Sequence, residues 1–118
     1  MREVGITMKF RKATRGELEG TSLQGNLQAD YDTLVDVFGI PRDGIDPYKV
    51  QVEWLIKFED GTIASIHDWK SQVAPENVTR WSVGGESRMS YYYVFFTIWK
   101  DVPELLESSI KDIFEGRI

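Results

Sequence analysis

The stretch KVQVEWLIKFEDGTIASIHDW, residues 49–69, constrains the fold more than any other part of the chain. Val50, Val52, Trp54, Ile56 and Phe58 alternate with Lys49, Gln51, Glu53, Leu55 and Lys57, the period of a strand with one buried face. Asp60-Gly61 follows and predicts a two-residue type I′ turn, because Gly accepts a positive φ and Asp tolerates one. Ile63 to Trp69 is then the returning strand. With that turn, Phe58 faces Ile63, Ile56 faces Ser65, Trp54 faces His67 and Val52 faces Trp69, all on one side of the hairpin. A one-residue bulge moves His67 and Trp69 to the other side.

Other elements follow from their own signals. Tyr31, Leu34, Val35 and Phe38 form a helical stripe behind Asp30 as N-cap, which Gly39 ends and Pro41 prevents from returning. Pro103 opens a second predicted helix, with Leu106, Ile110, Ile113 and Phe114 as its apolar stripe, Glu107 and Lys111 paired outside, and Gly116 as its stop. Val4, Ile6, Met8 and Phe10 alternate as a strand. TSLQGNL (21–27) reads as another, with Gly25 marking a bulge or a close backbone approach, and VTRWSV (78–83) as a short one. YYYVFFTIW (91–99) suits either type. Its aromatic and β-branched residues favour a buried strand, its place after Gly84-Gly85 suits a helix, and the strand is the reading adopted. The sum is a single α+β domain over 1–118: a mostly antiparallel sheet with a central Asp-Gly hairpin and two helices packed on it. The Gly-, Pro- or charge-rich stretches 11–20, 40–47 and 71–77 are the loop candidates.

Composition narrows the function. The chain has no cysteine, so disulfide, thiolate-metal and cysteine-nucleophile chemistry is excluded. A net charge of −5 argues against a long nucleic acid as partner, since that needs a basic footprint. No apolar run approaches a membrane span, and MREVGITMKF lacks the apolar stretch of a signal peptide; a cytoplasmic protein is expected. RDGID (42–46) lacks the spaced oxygens of a calcium loop and reads as a turn, so neither metal nor cofactor is expected. His67 is the single histidine and reads as packed on the sheet. Asp68 points to the opposite face of the strand and cannot orient its ring. No catalytic residue is assigned, and the chain is expected not to be an enzyme.

Aromatic and basic residues carry more. Trp69-Lys70 closes the hairpin and Arg80-Trp81 opens the next segment, so both pairs reach one end of the sheet. Each tryptophan taken singly reads as packing. Together with the two cations they resemble a lip for an anionic nucleotide, the indole stacking a base and the cations meeting phosphates. Gly84 and Gly85 form either a plain turn or an amide nest for an anion, with Arg88 close behind.

The blocks GTSLQG (20–25), YDTLVDVFGIP (31–41), VEWLIKFEDGTIASIHDWK (52–70) and WSVGG (81–85) resemble, in that order, a family of small phage-encoded proteins that read GTxLQG, YDxLVxxFGxP, EWxIxFxDGTxATIYxWK and WxIGG. These are the Thoeris anti-defence proteins, sponges that sequester cyclic ADP-ribose isomers and in some cases cyclic oligonucleotides. The resemblance implies a phage protein of the host cytoplasm that binds a small anionic nucleotide without cleaving it. Thr21, Gln24, Trp69, Trp81, Gly84 and Gly85 match its motif positions; Lys70, Arg80 and Arg88 join them on chemistry alone. The chain departs where the family has Tyr-Asn and here stand His67-Asp68, and where it has His and here stands Ser82. Membership is therefore better carried than identity of ligand. Two other classes remain: a protein-binding inhibitor of a host defence factor, and a small hydrolase of the same nucleotides. The aromatic run from Tyr91 to Phe96, apolar on both sides of a strand or helix, predicts a homo-oligomer, a dimer or higher.

Overall fold

The computed structural model describes residues 9–99. Among them β1 (Phe10–Lys12), β2 (Ser22–Gln28), β3 (Arg42–Asp43), β4 (Val52–Phe58), β5 (Ile63–His67) and β6 (Arg80–Gly85) form one antiparallel sheet. The strand order is β1-β4-β5-β6-β2, with β3 pairing β4 beyond the end of β1. Two helices, α1 (Tyr31–Phe38) and α2 (Arg88–Ile98), complete an α+β fold. Neither is long and apolar enough to cross a membrane. The predicted helix beginning at Pro103, and all of the predicted first strand except Phe10, lie outside the described residues.

Three expectations need correction. The connection from β4 to β5 is not a two-residue turn. Phe58 N–H donates to the Thr62 carbonyl and Gly61 N–H to the Phe58 carbonyl, both at 2.9 Å, which leaves 59–61 as a three-residue loop with Gly61 at φ 95°. A type I turn closed by a left-handed Gly has this form. The extra residue shifts the register by one, so Trp54 opposes Ile66 and Glu53 opposes His67. The shift buries Ala64 and Ile66 completely beside Trp54 and Ile56, and it moves His67 to the other face.

The second correction concerns 91–99, which is helical through Ile98, with Trp99 as its C-cap. Ser87 caps α2, its Oγ accepting from Met89 N–H at 3.2 Å. Ser90 donates to the Ile63 carbonyl at 2.7 Å from a fully buried position, and Val94, one turn on, is buried as well. Tyr91 and Phe95 stack along the helix at 6.3 Å. A cap and a docked face thus overrule strand-favouring side chains. Third, Asp30 holds the N-cap position of α1 but makes no side-chain cap bond. The rest of α1 is as read: Leu34 and Phe38 are buried, and Gly39 ends the helix at φ 90°.

Both readings of Gly25 are realised. The register slips between Leu23 and Gly25, and a Cβ on Gly25 would stand 2.9 Å from the Tyr91 ring. The core lies between the helices and one face of the sheet, centred on Leu27, Leu34, Trp54, Phe58, Ile66, Trp81, Val83 and Val94.

Candidate functional site

The other face of the sheet is polar, and its register organises it. Asn26 opposes Ser82, Ser82 opposes His67, His67 opposes Glu53 and Glu53 opposes Arg42. Opposed residues share a face, with Cβ atoms about 4.5–5.5 Å apart. One polar row therefore crosses five strands on the side away from α1 and α2. Beside it Gly84 opposes Ser65 and Ser65 opposes Leu55.

A strap, residues 13–21, crosses this face. Ala13 N–H donates to the Leu55 carbonyl at 2.8 Å, and a 3₁₀ turn over Arg15–Leu18 follows. Glu17 pins the strap. Its carboxylate takes Arg11 Nη2 from β1 at 2.9 Å, its own Thr14 N–H at 2.9 Å and Lys57 Nζ from β4 at 3.1 Å. Arg11 first, then Thr14 and Lys57, hold the Glu17 pKa down to about 2. Thr21 closes the strap by donating to the Leu18 carbonyl at 2.8 Å.

Between strap and sheet lies a recess of about 340 Å³, with Glu53, Ser65 and His67 on its floor and Arg15, Leu18 and Thr21 from the strap. Arg15 forms an ion pair with Glu53, and Arg42 Nε stands 3.6 Å from the same Oε2. Glu53 is buried while both arginines are about half exposed. Burial pushes the His67 pKa below its ordinary value; Asp68 pulls it back up and Arg15 lowers it further. The imidazole is thus held neutral at neutral pH. Among the described residues no side-chain hydrogen bond joins His67 to Glu53 or Ser65. Donors, acceptors and charge converge here around a concavity, which suits recognition of a polar ligand.

The predicted site residues are dispersed. Thr21 lines the recess. Trp81 does not form a lip: it is wholly buried, donates Nε1–H to the Ala29 carbonyl at 2.9 Å and packs edge-on against Trp54. Gly84 and Gly85 are not an amide nest. They are strand residues, where a Cβ on Gly84 would stand 2.7 Å from Ser65 Oγ and one on Gly85 would overlap Ser90. Gln24 donates to the Gly85 carbonyl at 3.0 Å, so its amide braces β2 against β6. Arg80 and Arg88 are exposed where β6 and α2 begin. Trp69 is exposed with Lys70 Nζ over its ring at 5.4 Å, so this half of the lip exists without its partner.

Arg15, Arg42 and Glu53 escaped sequence reading because they come from three separated segments. One signal was available. Trp54, Leu55 and Ile56 are consecutively apolar, which marks a strand covered on both faces and makes Glu53 a buried charge needing partners.

Asp68, on the core side, is also wholly buried. Its carboxylate accepts from Gln51 N–H at 2.9 Å, Val52 N–H at 3.1 Å and Gln51 Nε2 at 3.1 Å. Gln51 Nε2 also donates to the Val73 carbonyl at 2.9 Å, and Lys70 N–H to that of Lys49 at 2.8 Å. These bonds tie loops 44–50 and 69–74 together, and Ile45, Tyr48, Trp69 and Val73 on them are exposed. Compared with family models, curated proteins and solved structures, the chain finds no match in any of the three.

Proposed function

We propose that the protein binds a small anionic nucleotide in the recess beneath the strap and holds it without cleaving it. The observation that carries this reading is the meeting of Arg15 and Thr21 from the strap with Glu53, Ser65 and His67 from the sheet around a recess of about 340 Å³. Guanidinium groups are the side chains best shaped for phosphate, and hydroxyls of Thr21 and Ser65 suit sugar and base edges. The ligand class, a cyclic ADP-ribose isomer or cyclic oligonucleotide, and the role, sequestering an immune signal on behalf of a phage, come from the sequence resemblance.

Mass spectrometry of ligand released by heating tests this first. Intact nucleotide is expected; cleaved product makes the protein a hydrolase. Titration calorimetry against cyclic ADP-ribose isomers and cyclic di- and trinucleotides follows. Arg15→Ala should weaken binding about ten- to a hundred-fold, the worth of a charged hydrogen bond. No binding to wild type at micromolar concentration ends the nucleotide reading.

A second reading is favoured by the exposed Ile45, Tyr48, Trp69 and Val73 on the two tied loops. Such a patch suits a protein partner, either a host defence factor or a second copy in a homodimer. Light scattering at about 13.6 kDa across micromolar concentrations excludes the second copy.

A further inference from the structure

We propose that the groove between β1 and β3 is a second binding site, for a small amphipathic anion: an alkyl or fused aromatic body carrying one carboxylate, sulfonate or phosphate. The site goes beyond the nucleotide reading and does not depend on it. The sheet itself makes the groove. β1 ends opposite Ile56 and β3 begins opposite Glu53, so Trp54 and Leu55 face no strand on that edge. The gap opens into a cavity of about 430 Å³, within the roughly 300–1,000 Å³ of small-molecule sites. Its lining joins Phe10 and Phe38, whose rings pack at 5.2 Å, to the buried Trp54 and Ile56 and to Ile40, which is 68% exposed and marks the mouth.

Two properties of the lining select the ligand. The apolar part offers no polar group, because Trp54 Nε1–H, the one side-chain donor among these residues, is already given to the Gly39 carbonyl at 2.7 Å. Whatever lies against it must be apolar, or it loses hydrogen bonds to water without replacement. The charged part is positive. Arg11, Lys12 and Arg42 line the groove against a single carboxylate, Glu53, in a chain whose net charge is −5. Arg15 meets that carboxylate from the strap, and Arg11 is held on Glu17 by two contacts. Lys12 and Arg42 are left to receive an anion. Lys12 opposes Ile56 and so shares the face of the aromatic lining; it is exposed and has no ion-pair partner among the described residues. Arg42 is half exposed, with its Nε 3.6 Å from Glu53. A neutral oil leaves these cations unanswered, and an inorganic anion leaves the aromatic wall wet. An apolar body with an anionic head answers both.

Fluorescence titration of the full chain with anilinonaphthalene sulfonate, an aromatic body with one anionic head, tests the proposal, with decanoate and decanol as competitors for the dye. Wild type is expected to bind the dye at micromolar concentration. Decanoate should displace it at a concentration at least about ten-fold below that of decanol, the worth of one charged hydrogen bond. Lys12→Gln combined with Arg42→Gln should bring the two competitors level. Ile40→Asp sets a negative charge at the mouth on an exposed residue, and should abolish dye binding while the thermal midpoint holds. Dye binding undiminished in Ile40→Asp places the dye elsewhere on the molecule and overturns the proposal. So does decanoate no better than decanol in wild type, or a preference for decanoate that survives loss of both cations. If Ile40→Asp does not fold, the comparison of competitors in the other variant decides alone. Absence of dye binding by wild type overturns the proposal and leaves the nucleotide reading standing, since that reading rests on ligands of the recess. Displacement of the dye by a cyclic dinucleotide would merge groove and recess and overturn a separate site.

Discussion

On one face of the sheet Trp54 opposes Ile66 and Ile66 opposes Val83, and all three are buried beneath the helices. On the other, one residue along each strand, Glu53 opposes His67 and His67 opposes Ser82. The same three strands thus carry an apolar row and a polar row, separated only by the alternation of the pleat. The apolar row is covered by two helices, Tyr31 of α1 packing on Trp54 at 5.9 Å and Tyr93 of α2 on Phe58 at 5.3 Å. The Glu53–His67 part of the polar row is covered by a strap of nine residues, held through the Glu17 carboxylate, the Ala13 amide and the Arg15–Glu53 ion pair. The buried charge of the polar side, Glu53, is met there by Arg15 from the strap and Arg42 from β3.

The contrast is sharpest at neighbouring residues. Trp81→Ala should cost about 3–5 kcal/mol, the usual toll for a buried Trp, which is a large part of the 5–15 kcal/mol that holds a domain. Ser82→Ala, one residue along and partly exposed on the polar face, should stay within about 0.5 kcal/mol. Urea midpoints of the two variants measure the difference. Similar midpoints would mean that Trp81 is not in the core and would reopen the lip. Asp68→Ala comes next, at roughly 2–4 kcal/mol, because the Gln51 and Val52 amides lose their acceptor together. Here the measurement is a guanidinium melt alongside proteolysis of loops 44–50 and 69–74. A small effect with no new cleavage would show that those loops hold without the carboxylate.

Gly61→Val tests what separates the two rows in the first place, the length of the turn. Among the described residues, its two chain neighbours aside, no atom lies within 4 Å of a Cβ at Gly61, so the cost of the substitution is backbone strain at φ 95°, about 1–3 kcal/mol. An unchanged midpoint would rule out the left-handed glycine, and with it the register that places His67 beside Glu53. This turn also shows where the sequence was legible. The alternation of Val52–Phe58 identified the strand, and a helical stripe with its Gly stop identified α1, because both signals are local. Parity was not local. Asp-Gly fits a two-residue and a three-residue loop alike, and one residue decides on which face His67 lies. The helix α2 was hidden by Tyr, Phe, Val and Thr, residues that favour strands. What decides it is Ser90 docking on Gly85 and the Tyr91 ring lying on Gly25, contacts between segments far apart in sequence. The candidate site was the least legible part, since Arg15, Arg42 and Glu53 share no spacing. Of the residues singled out for a ligand, only Thr21 lies in the recess.

The smallest effect comes from His67, and it asks whether the polar face is dry. Burial, with Arg15 adding to it, places the folded-state pKa below the ordinary 6.5. Between that lowered value and 6.5 the unfolded chain binds more of the proton than the folded one, so stability is full above 6.5 and falls as pH drops through the window. The slope cannot exceed about 1.4 kcal/mol per pH unit for one group, and partial solvent contact keeps it under that. Glu17 does not confuse the measurement. Its carboxylate pKa is lowered to about 2, chiefly by Arg11, so its contribution is lost only as pH falls below about 4.5. Chemical denaturation of wild type and His67→Gln at pH 5, 6 and 7 isolates the imidazole. Wild type should lose stability from pH 7 to 5, and the variant should be flatter over the same range. Equal slopes would mean that water reaches the ring freely, and a recess open to water at its floor has no shielded histidine with which to hold a ligand.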